Sequence, residues 1–340
     1  GWKCAKGNAT GYEGGGVPTI MANDIGRAMA RLKHRDIRTR RRAVRTLFEH
    51  DDAAVLEAFQ PLLDDQDSWF VSKALDAYRM WGITAGSEAI AVLLRHSNLD
   101  VRRAGANLLA PLGQAGKELA IEALSDEDGV VQRKAAKALL LFHEATAAER
   151  LVDHANDAVR ITGMNHPTLP EEALRLGLED PNDGVRQAAL DNAFKREIQV
   201  TMDVLMPFLE AGIQTVNILI WTAKNEPEHL GDLTSRIKAT DMKALSDHLR
   251  SEVESSDEPL IRHLIDGGLL KPVAQWVISQ GASEDDLRWS LINDERLHVI
   301  ERSKLLERLI GRADEPAVIK QTQALLSTTD NELLKVACEN

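Results

Sequence analysis

A turn followed by a short apolar stretch recurs along the chain at intervals close to 30 residues. The recurrence is clearest in LDVRRAGANLLAPLG (99–113), GVVQRKAAKALLLF (129–142), DAVRITGM (157–164) and DGVRQAALDNAF (183–194). One valine in each stretch marks the register, with spacings of 30, 28 and 26 residues: Val101, Val131, Val159 and Val185. Phe70 continues the series 31 residues upstream. A period of this length, with two helical stretches per unit, is typical of stacked helix pairs.

One unit shows the chemistry behind the pattern. We predict a first helix over about 114–124, an acidic turn, and a second helix over about 130–142, because apolar residues recur there at steps of three and four. These residues are Ala120, Ile121, Leu124, Val131, Ala135 and Ala138. An aspartate in each turn is expected to cap the second helix: Asp100, Asp128, Asp157 and Asp183. The arginine after the marker is expected to pair with a turn aspartate, which gives a structural ladder: Arg102, Arg160 and Arg186.

The D-x-V-R-x-x-A pattern resembles HEAT repeats, specifically the short HEAT-like repeats of bilin lyases. The resemblance implies an all-α fold, an α-solenoid of about nine or ten antiparallel helix pairs. We expect a flexible glycine-rich arm over residues 1–19 and a single solenoid over 20–340. The repeats are clear over 36–195, and residues 196–340 are interpreted as divergent helical pairs.

Composition narrows the possible functions. Aromatic residues make up only 4%, which favours helices packed on helices, and the formal net charge of −12 argues against general binding to nucleic acid or anionic membranes. Cys4 and Cys338 lie at opposite ends of the sequence and suggest neither a metal site nor a disulfide framework. No apolar run approaches the roughly 18 residues of a membrane span. We therefore expect a cytoplasmic protein with no membrane, metal or cofactor.

Two enzyme families with HEAT-like repeats have recognisable motifs. The deoxyhypusine hydroxylases carry several His-Glu pairs as iron ligands, whereas this sequence has only His143–Glu144. HEAT-like DNA glycosylases place Trp and Asp about one helical turn apart, and no tryptophan here has an aspartate four residues later. We predict that the chain is not an enzyme; a bilin-lyase-like enzyme or chaperone is an alternative that rests on the repeat resemblance alone.

A basic segment, LKHRDIRTRRRAVRTL (32–47), begins the repeat region. The ladder accounts for one arginine, Arg38 or Arg40 depending on whether Ile37 or Thr39 is the marker. The remaining arginines and their aligned positions on later second helices form a candidate basic strip: Arg41, Arg42, Arg45, Arg103, Arg133 and Lys137. In HEAT-type stacks the second helix usually lines the concave side. The alternative is that a terminal repeat fills its exposed face with charge for solubility.

Trp69 precedes the marker Phe70 and has two interpretations. It covers the end of a helix pair, or it is an exposed aromatic anchor for a partner.

These features predict a binding scaffold. Its concave surface would hold a protein or peptide partner, with the basic N-terminal half taking an acidic segment. The alternative is a nucleic-acid-binding solenoid whose basic strip touches phosphates.

Overall fold

The computed structural model describes the backbone of residues 18–340 and the side chains from residue 23 onward. Every regular element in this range is helical. The predicted arm over 1–19 lies almost wholly outside the described residues, as do Cys4 and the side chains of Ile20 and Met21. The internal contacts divide the chain into two compact units, and the boundary lies between Asn192 and Ala193.

The first unit consists of consecutive helices joined by short turns. The pairs are α1 (Pro18–Arg31) with α2 (Ile37–His50), α3 (Leu56–Phe59) with α4 (Ser68–Ala85), α5 (Ser87–Leu94) with α6 (Leu99–Asn107) and α7 (Leu109–Leu112), α8 (Lys117–Ala123) with α9 (Gly129–Leu139), α10 (Ala145–Val152) with α11 (Asp157–Met164), and α12 (Glu171–Leu178) with α13 (Asp183–Lys195). Short 3₁₀ turns at Ala53–Val55, Gln60–Asp64 and Gly113–Gly116 extend α3 and precede α8.

The second unit continues the series of helices. In chain order they are α14 (Met202–Ala211), α15 (Thr215–Asn225), α16 (Leu230–Leu233), α17 (Ala239–Glu252), α18 (Pro259–Asp266), α19 (Leu270–Ile278), α20 (Asp285–Asn293), α21 (Val299–Glu307), α22 (Pro316–Thr328) and α23 (Glu332–Glu339). Further 3₁₀ turns lie at Pro227–His229, Thr234–Arg236, Ala282–Glu284 and Ile310–Arg312. The all-α solenoid class is confirmed.

The chain boundary between the two units falls within α13, close to residue 195, where the explicit repeat motif fades. The single array over 20–340 stays a prediction. None of the described helices has both the length and the apolar character needed to cross a membrane.

A polar side chain immediately before each second helix of the first unit accepts a hydrogen bond from a backbone N–H of that helix. These residues are Asp36, Asp67, Asn98, Asp128, Asn156 and Asn182. The predicted aspartate caps are right at Asp128 and wrong at the other three positions: Asp100, Asp157 and Asp183. Those three lie in the first helical turn, because an asparagine, which caps as well as aspartate, already occupies the cap.

The caps also decide the register of the first repeat. Each cap lies three residues before its marker, and Asp36 accepts a hydrogen bond from the Thr39 N–H at 2.8 Å. Thr39 is therefore the marker, and Arg40, not Arg38, occupies the position of the ladder arginines.

The core of the first unit is built on the markers. Phe70, Val101, Val131, Val159 and Val185 are all fully buried. Within the unit predicted from sequence, Ala120, Leu124, Val131, Ala135 and Ala138 are buried and Ile121 is half-buried, as the apolar stripes require.

The second unit buries its own core. Trp276 is fully buried at its centre, and the Trp276 indole N–H donates to the Val253 carbonyl at 3.3 Å. Val273, Leu249 and Leu264 are fully buried as well. A buried tryptophan whose N–H is satisfied adds a large apolar area to the core without a lost hydrogen bond.

Gly105 is required where α6 passes close to α5. A Cβ placed on Gly105 would lie 2.8 Å from the Leu93 Cβ and 3.1 Å from the Leu94 backbone nitrogen. One of these atoms is a backbone nitrogen and the other a Cβ, so neither can move aside unless the whole helix shifts.

We expect Gly105→Ala to lower the free energy of unfolding by about 1–3 kcal/mol because the added methyl overpacks this contact. Gly26→Ala is the control, since a Cβ there meets no described atom within 4 Å. That change should raise stability by about 0.5–1 kcal/mol through backbone entropy. Urea denaturation followed by circular dichroism measures both; equal effects of the two substitutions would contradict the close approach.

Candidate binding surface on the second helices

An arginine follows four of the six markers and folds back over the turn that precedes its own helix. Arg102 donates from Nη1 to the His96 and Ser97 carbonyls at 3.3 and 3.1 Å. It also donates from Nε to Asp126 at 2.9 Å and from Nη2 to Glu127 at 2.9 Å, both in the next repeat. Arg102 therefore ties two successive turns together.

The same arrangement recurs along the first unit. Arg160 donates to the His154 carbonyl at 2.9 Å and makes two bonds to Asp180, at 2.9 and 3.2 Å. Arg186 donates to the Asp180 carbonyl at 2.7 Å and also pairs with Asp183.

Arg40 fills the corresponding position in the first repeat. It donates to the Leu32 carbonyl at 2.9 Å and pairs with Asp65. Its guanidinium carbon lies 3.9 Å from the centroid of the Phe70 ring, which adds a cation–π contact.

A second regularity lies two residues before each cap, where aspartate and histidine alternate. The series is His34, Asp65, His96, Asp126, His154 and Asp180, and each side chain accepts a hydrogen bond of 2.8–3.0 Å from the backbone N–H of the cap residue. Only the aspartates receive a ladder arginine, so the ion pairs recur every second repeat. The sequence analysis missed this alternation because it compared single repeats; alignment of alternate turns would have shown it.

Two members of the candidate basic strip are paired with cap aspartates of the following second helix. Arg41 Nη2 lies 3.2 Å from Asp67 Oδ2. Arg103 donates two hydrogen bonds to the Asp128 carboxylate, from Nε at 3.1 Å and from Nη2 at 2.8 Å. The Arg103 hydrogen bonds, helped by the backbone N–H groups of the capped helix, lower the pKa of Asp128 to about 2. The positive charge of these two arginines is therefore partly neutralised within the protein.

The next equivalent arginine, Arg133, differs because its neighbouring cap is uncharged. That cap is Asn156, whose side-chain amide donates to the Gln132 side chain at 2.8 Å. Within the part of the chain that the structure describes, Arg133 and Lys137 have no carboxylate partner, and both are exposed. The neighbouring Lys134, which the sequence analysis did not single out, is exposed and unpaired in the same range.

Arg42 and Arg45 on α2 occupy the positions equivalent to Lys134 and Lys137 on α9. Both arginines are exposed and have no ion pair among the described side chains. Between α2 and α9, the equivalent positions of α4 hold Lys73 and Asp76, which pair with each other, and Asp76 also accepts a hydrogen bond from Arg79. The strip therefore consists of two groups of free cations separated by two repeats. We call these five residues, Arg42, Arg45, Arg133, Lys134 and Lys137, the basic surface.

Trp69 lies beside the first group. The indole is half-buried, meets Phe70 edge-on at a centroid distance of 5.0 Å, and lies under the Arg41 guanidinium at 5.1 Å. This position keeps part of the ring accessible next to α2. Both interpretations of Trp69, as a cover and as a partner anchor, stay predictions.

Two histidines of the first unit, His154 and His166, use their ring nitrogens for backbone contacts. His154 Nε2 lies 2.8 Å from the Leu124 carbonyl, and buried His166 has Nε2 at 2.9 Å from the Phe142 carbonyl. Burial lowers the pKa of His166. Among residues 18–340, no cluster of three or more His, Cys, Asp or Glu side chains has the arrangement of a metal site.

Comparison with known proteins gives only distant likenesses to solved structures. No protein-family model and no curated protein matches the chain, so the finer resemblance to bilin lyases is not confirmed. Among solved structures, the karyopherin Kap121p bound to the SUMO protease Ulp1p is 12% identical with a TM-score of 0.38, over 95% of this chain and 40% of Kap121p. A Kap121p mutant gives 13% identity and a TM-score of 0.33, over 95% and 36% of the two chains. An engineered protein is 16% identical with a TM-score of 0.19, over 93% of this chain and 94% of the engineered one.

This chain thus spans about two fifths of the karyopherin chains. The identities and TM-scores are too low for any of these likenesses to bear on function. The class that its own helices define is the helical-repeat protein, an α-solenoid of HEAT-like pairs.

We expect Asp128→Asn to keep the helix cap and remove the ion pair to Arg103. Because folding lowers the pKa of Asp128 from 3.8 to about 2, the carboxylate stabilises the fold above the unfolded pKa, and this contribution is lost as pH falls towards 2. The stability difference between wild type and variant should be largest at about pH 6 and shrink at about pH 3. Urea titrations at both pH values measure it. Asp153→Asn, at an exposed position outside these pairs, is the control; a difference independent of pH would contradict the assignment.

Proposed function

We propose that this chain is a non-enzymatic binding scaffold whose basic surface holds an acidic segment of a protein partner. The observation that carries the proposal is the uneven pairing of cations along the second helices. Arg40, Arg41, Arg102 and Arg103 have carboxylate partners, whereas the five residues of the basic surface are exposed without one in the described structure. Exposed unpaired cations attract a partner of opposite charge and speed its association.

The separation of the two groups suggests the form of the partner. Second helices of neighbouring repeats pack at about 8–10 Å, so α2 and α9, three repeats apart, are separated by about 25–30 Å. An extended peptide advances roughly 3.3 Å per residue. A segment with two acidic groups about eight residues apart therefore matches both groups of cations at once, and linking the two contacts increases the overall affinity.

An acidic peptide fits this surface better than nucleic acid. A nucleic-acid backbone places phosphates continuously, and the interval between the two cation groups contains Asp76 and the paired Arg103. The net charge of −12 opposes a long polyanion, while a short peptide meets mainly the local field.

The direct test uses a fluorescent peptide with two clusters of three glutamates separated by about eight Gly and Ser residues. We expect Arg45→Gln combined with Lys137→Gln to weaken binding about tenfold, since two exposed charge contacts contribute about 0.7 kcal/mol each. Lys33→Gln combined with Arg150→Gln removes the same charge from exposed positions outside the basic surface and should leave the affinity within about twofold. Fluorescence anisotropy at low and physiological salt measures all three proteins.

The peptide spacing provides an independent check. A peptide with its acidic clusters about three residues apart should bind several-fold more weakly, because it reaches only one group of cations. Equal affinity for the two spacings, or equal losses in both double variants, would refute the bipartite surface. Tighter binding of a single-stranded oligonucleotide than of the peptide, lost in the Arg45→Gln, Lys137→Gln protein, would favour the nucleic-acid alternative.

A further inference from the structure

A cavity of about 510 Å³ lies between the first helices of the second and third repeats. It is half open to solvent and is bordered by α3 and its 3₁₀ turns, by the last turns of α4, and by α5. Its lining contains no residue of the basic surface. The volume falls within the range of pockets that hold small ligands or side chains.

The walls of the cavity are mostly small and apolar. The apolar residues are Ala53, Ala54, Leu56, Ala85, Ala89 and Val92, and Gln60 and Thr84 add two polar side chains. The small side chains of this lining leave room for an unbranched aliphatic chain.

Tyr78 supplies a polar group to this apolar cavity. The residue lines the cavity and is only 2% exposed; its hydroxyl bonds to no described residue and stays accessible to water. Burial raises the pKa of Tyr78 to about 12, so the hydroxyl stays protonated and neutral at physiological pH. An occupant of the cavity that brings a hydrogen-bond donor would replace water at this hydroxyl.

Two carboxylates complete the lining. Glu57 and Glu88 are exposed and neither has an ion-pair partner in the described part of the chain. Arg95, whose charge is felt by Glu88, has its own guanidinium bonded to Glu122 at 2.9 and 2.8 Å. The cavity therefore combines mostly apolar walls with one hydroxyl that has no protein partner and two carboxylates without an ion pair in the described structure.

We propose that this cavity binds an alkylammonium group, namely the side chain of a lysine from a protein partner. The four methylenes of lysine would lie along the alanine and valine walls, as long cationic side chains do on apolar surfaces. The ammonium donates three hydrogen bonds, which match Glu57, Glu88 and the Tyr78 hydroxyl oxygen. The site is separate from the basic surface, so it stands whether or not an acidic peptide binds there.

The test titrates the full chain with an acetylated, amidated pentapeptide, Gly-Gly-Lys-Gly-Gly, and with the same peptide carrying norleucine in place of lysine. Two-dimensional NMR shifts of residues in α3 and α5 report binding at the cavity and give the dissociation constant. We expect the lysine peptide to shift these resonances and to bind at least fivefold more tightly than the norleucine peptide. Equal binding of the two peptides would overturn the proposal.

Three variants locate the contacts. Glu57→Gln combined with Glu88→Gln should weaken lysine-peptide binding at least fivefold, and Tyr78→Phe, which keeps the ring, should weaken it about twofold to threefold. Glu49→Gln combined with Glu149→Gln removes the same charge from exposed positions elsewhere in the first unit and should bind like wild type. If the Glu57, Glu88 variant also binds like wild type, the proposal fails.

A last titration distinguishes the lysine of a protein from a free amine. Butylammonium carries the same charge and stem without a peptide backbone, and we expect it to bind more weakly than the lysine peptide. Tighter binding of butylammonium would overturn the assignment to a protein partner. Neither glutamate double variant changes a residue of the basic surface, so both should bind the acidic peptide with wild-type affinity. A failure of the lysine site can therefore be told apart from a failure of the acidic-peptide site.

Discussion

The hydrogen bond from each second helix to the side chain before it is the interaction on which the first unit depends. A helix begins with N–H groups that have no partner within the helix, and burying that end against a neighbouring repeat is costly unless a side chain accepts them. Aspartate or asparagine does so in every repeat of the first unit. Because the cap fixes where the helix starts, it also fixes which residue three positions later enters the core and which arginine folds back over the turn.

The choice between aspartate and asparagine at the cap then distributes the charge on the second helices. The two residues cap almost equally well, so stability alone hardly discriminates between them. Asp67 and Asp128 each bind an arginine of the preceding helix, whereas Asn156 leaves Arg133 without a carboxylate. A substitution that is nearly neutral for the helix thus decides whether a surface cation is available to a partner.

The first and second helices of the unit offer different chemistry. The second helices carry arginine and lysine at recurring positions, and their free members form the basic surface. The groove between the first helices α3 and α5 is lined by alanine and carries Glu57 and Glu88. Small side chains that let helices approach closely also leave space where two helices diverge. An acidic chain can in this way present both a positive and a negative recognition site.

The sequence by itself determined the period, the all-α class, the buried markers and the start of the second helices to within a few residues, because apolar spacing and cap residues act over one or two turns of chain. It did not determine the caps at Asn98, Asn156 and Asn182, the pairing of Arg41 and Arg103, or the cavity at Tyr78. Ion pairs between repeats join residues about 25 positions apart, and which carboxylate an arginine reaches depends on how the helices pack. Tertiary structure alone therefore separated the paired cations from the free ones.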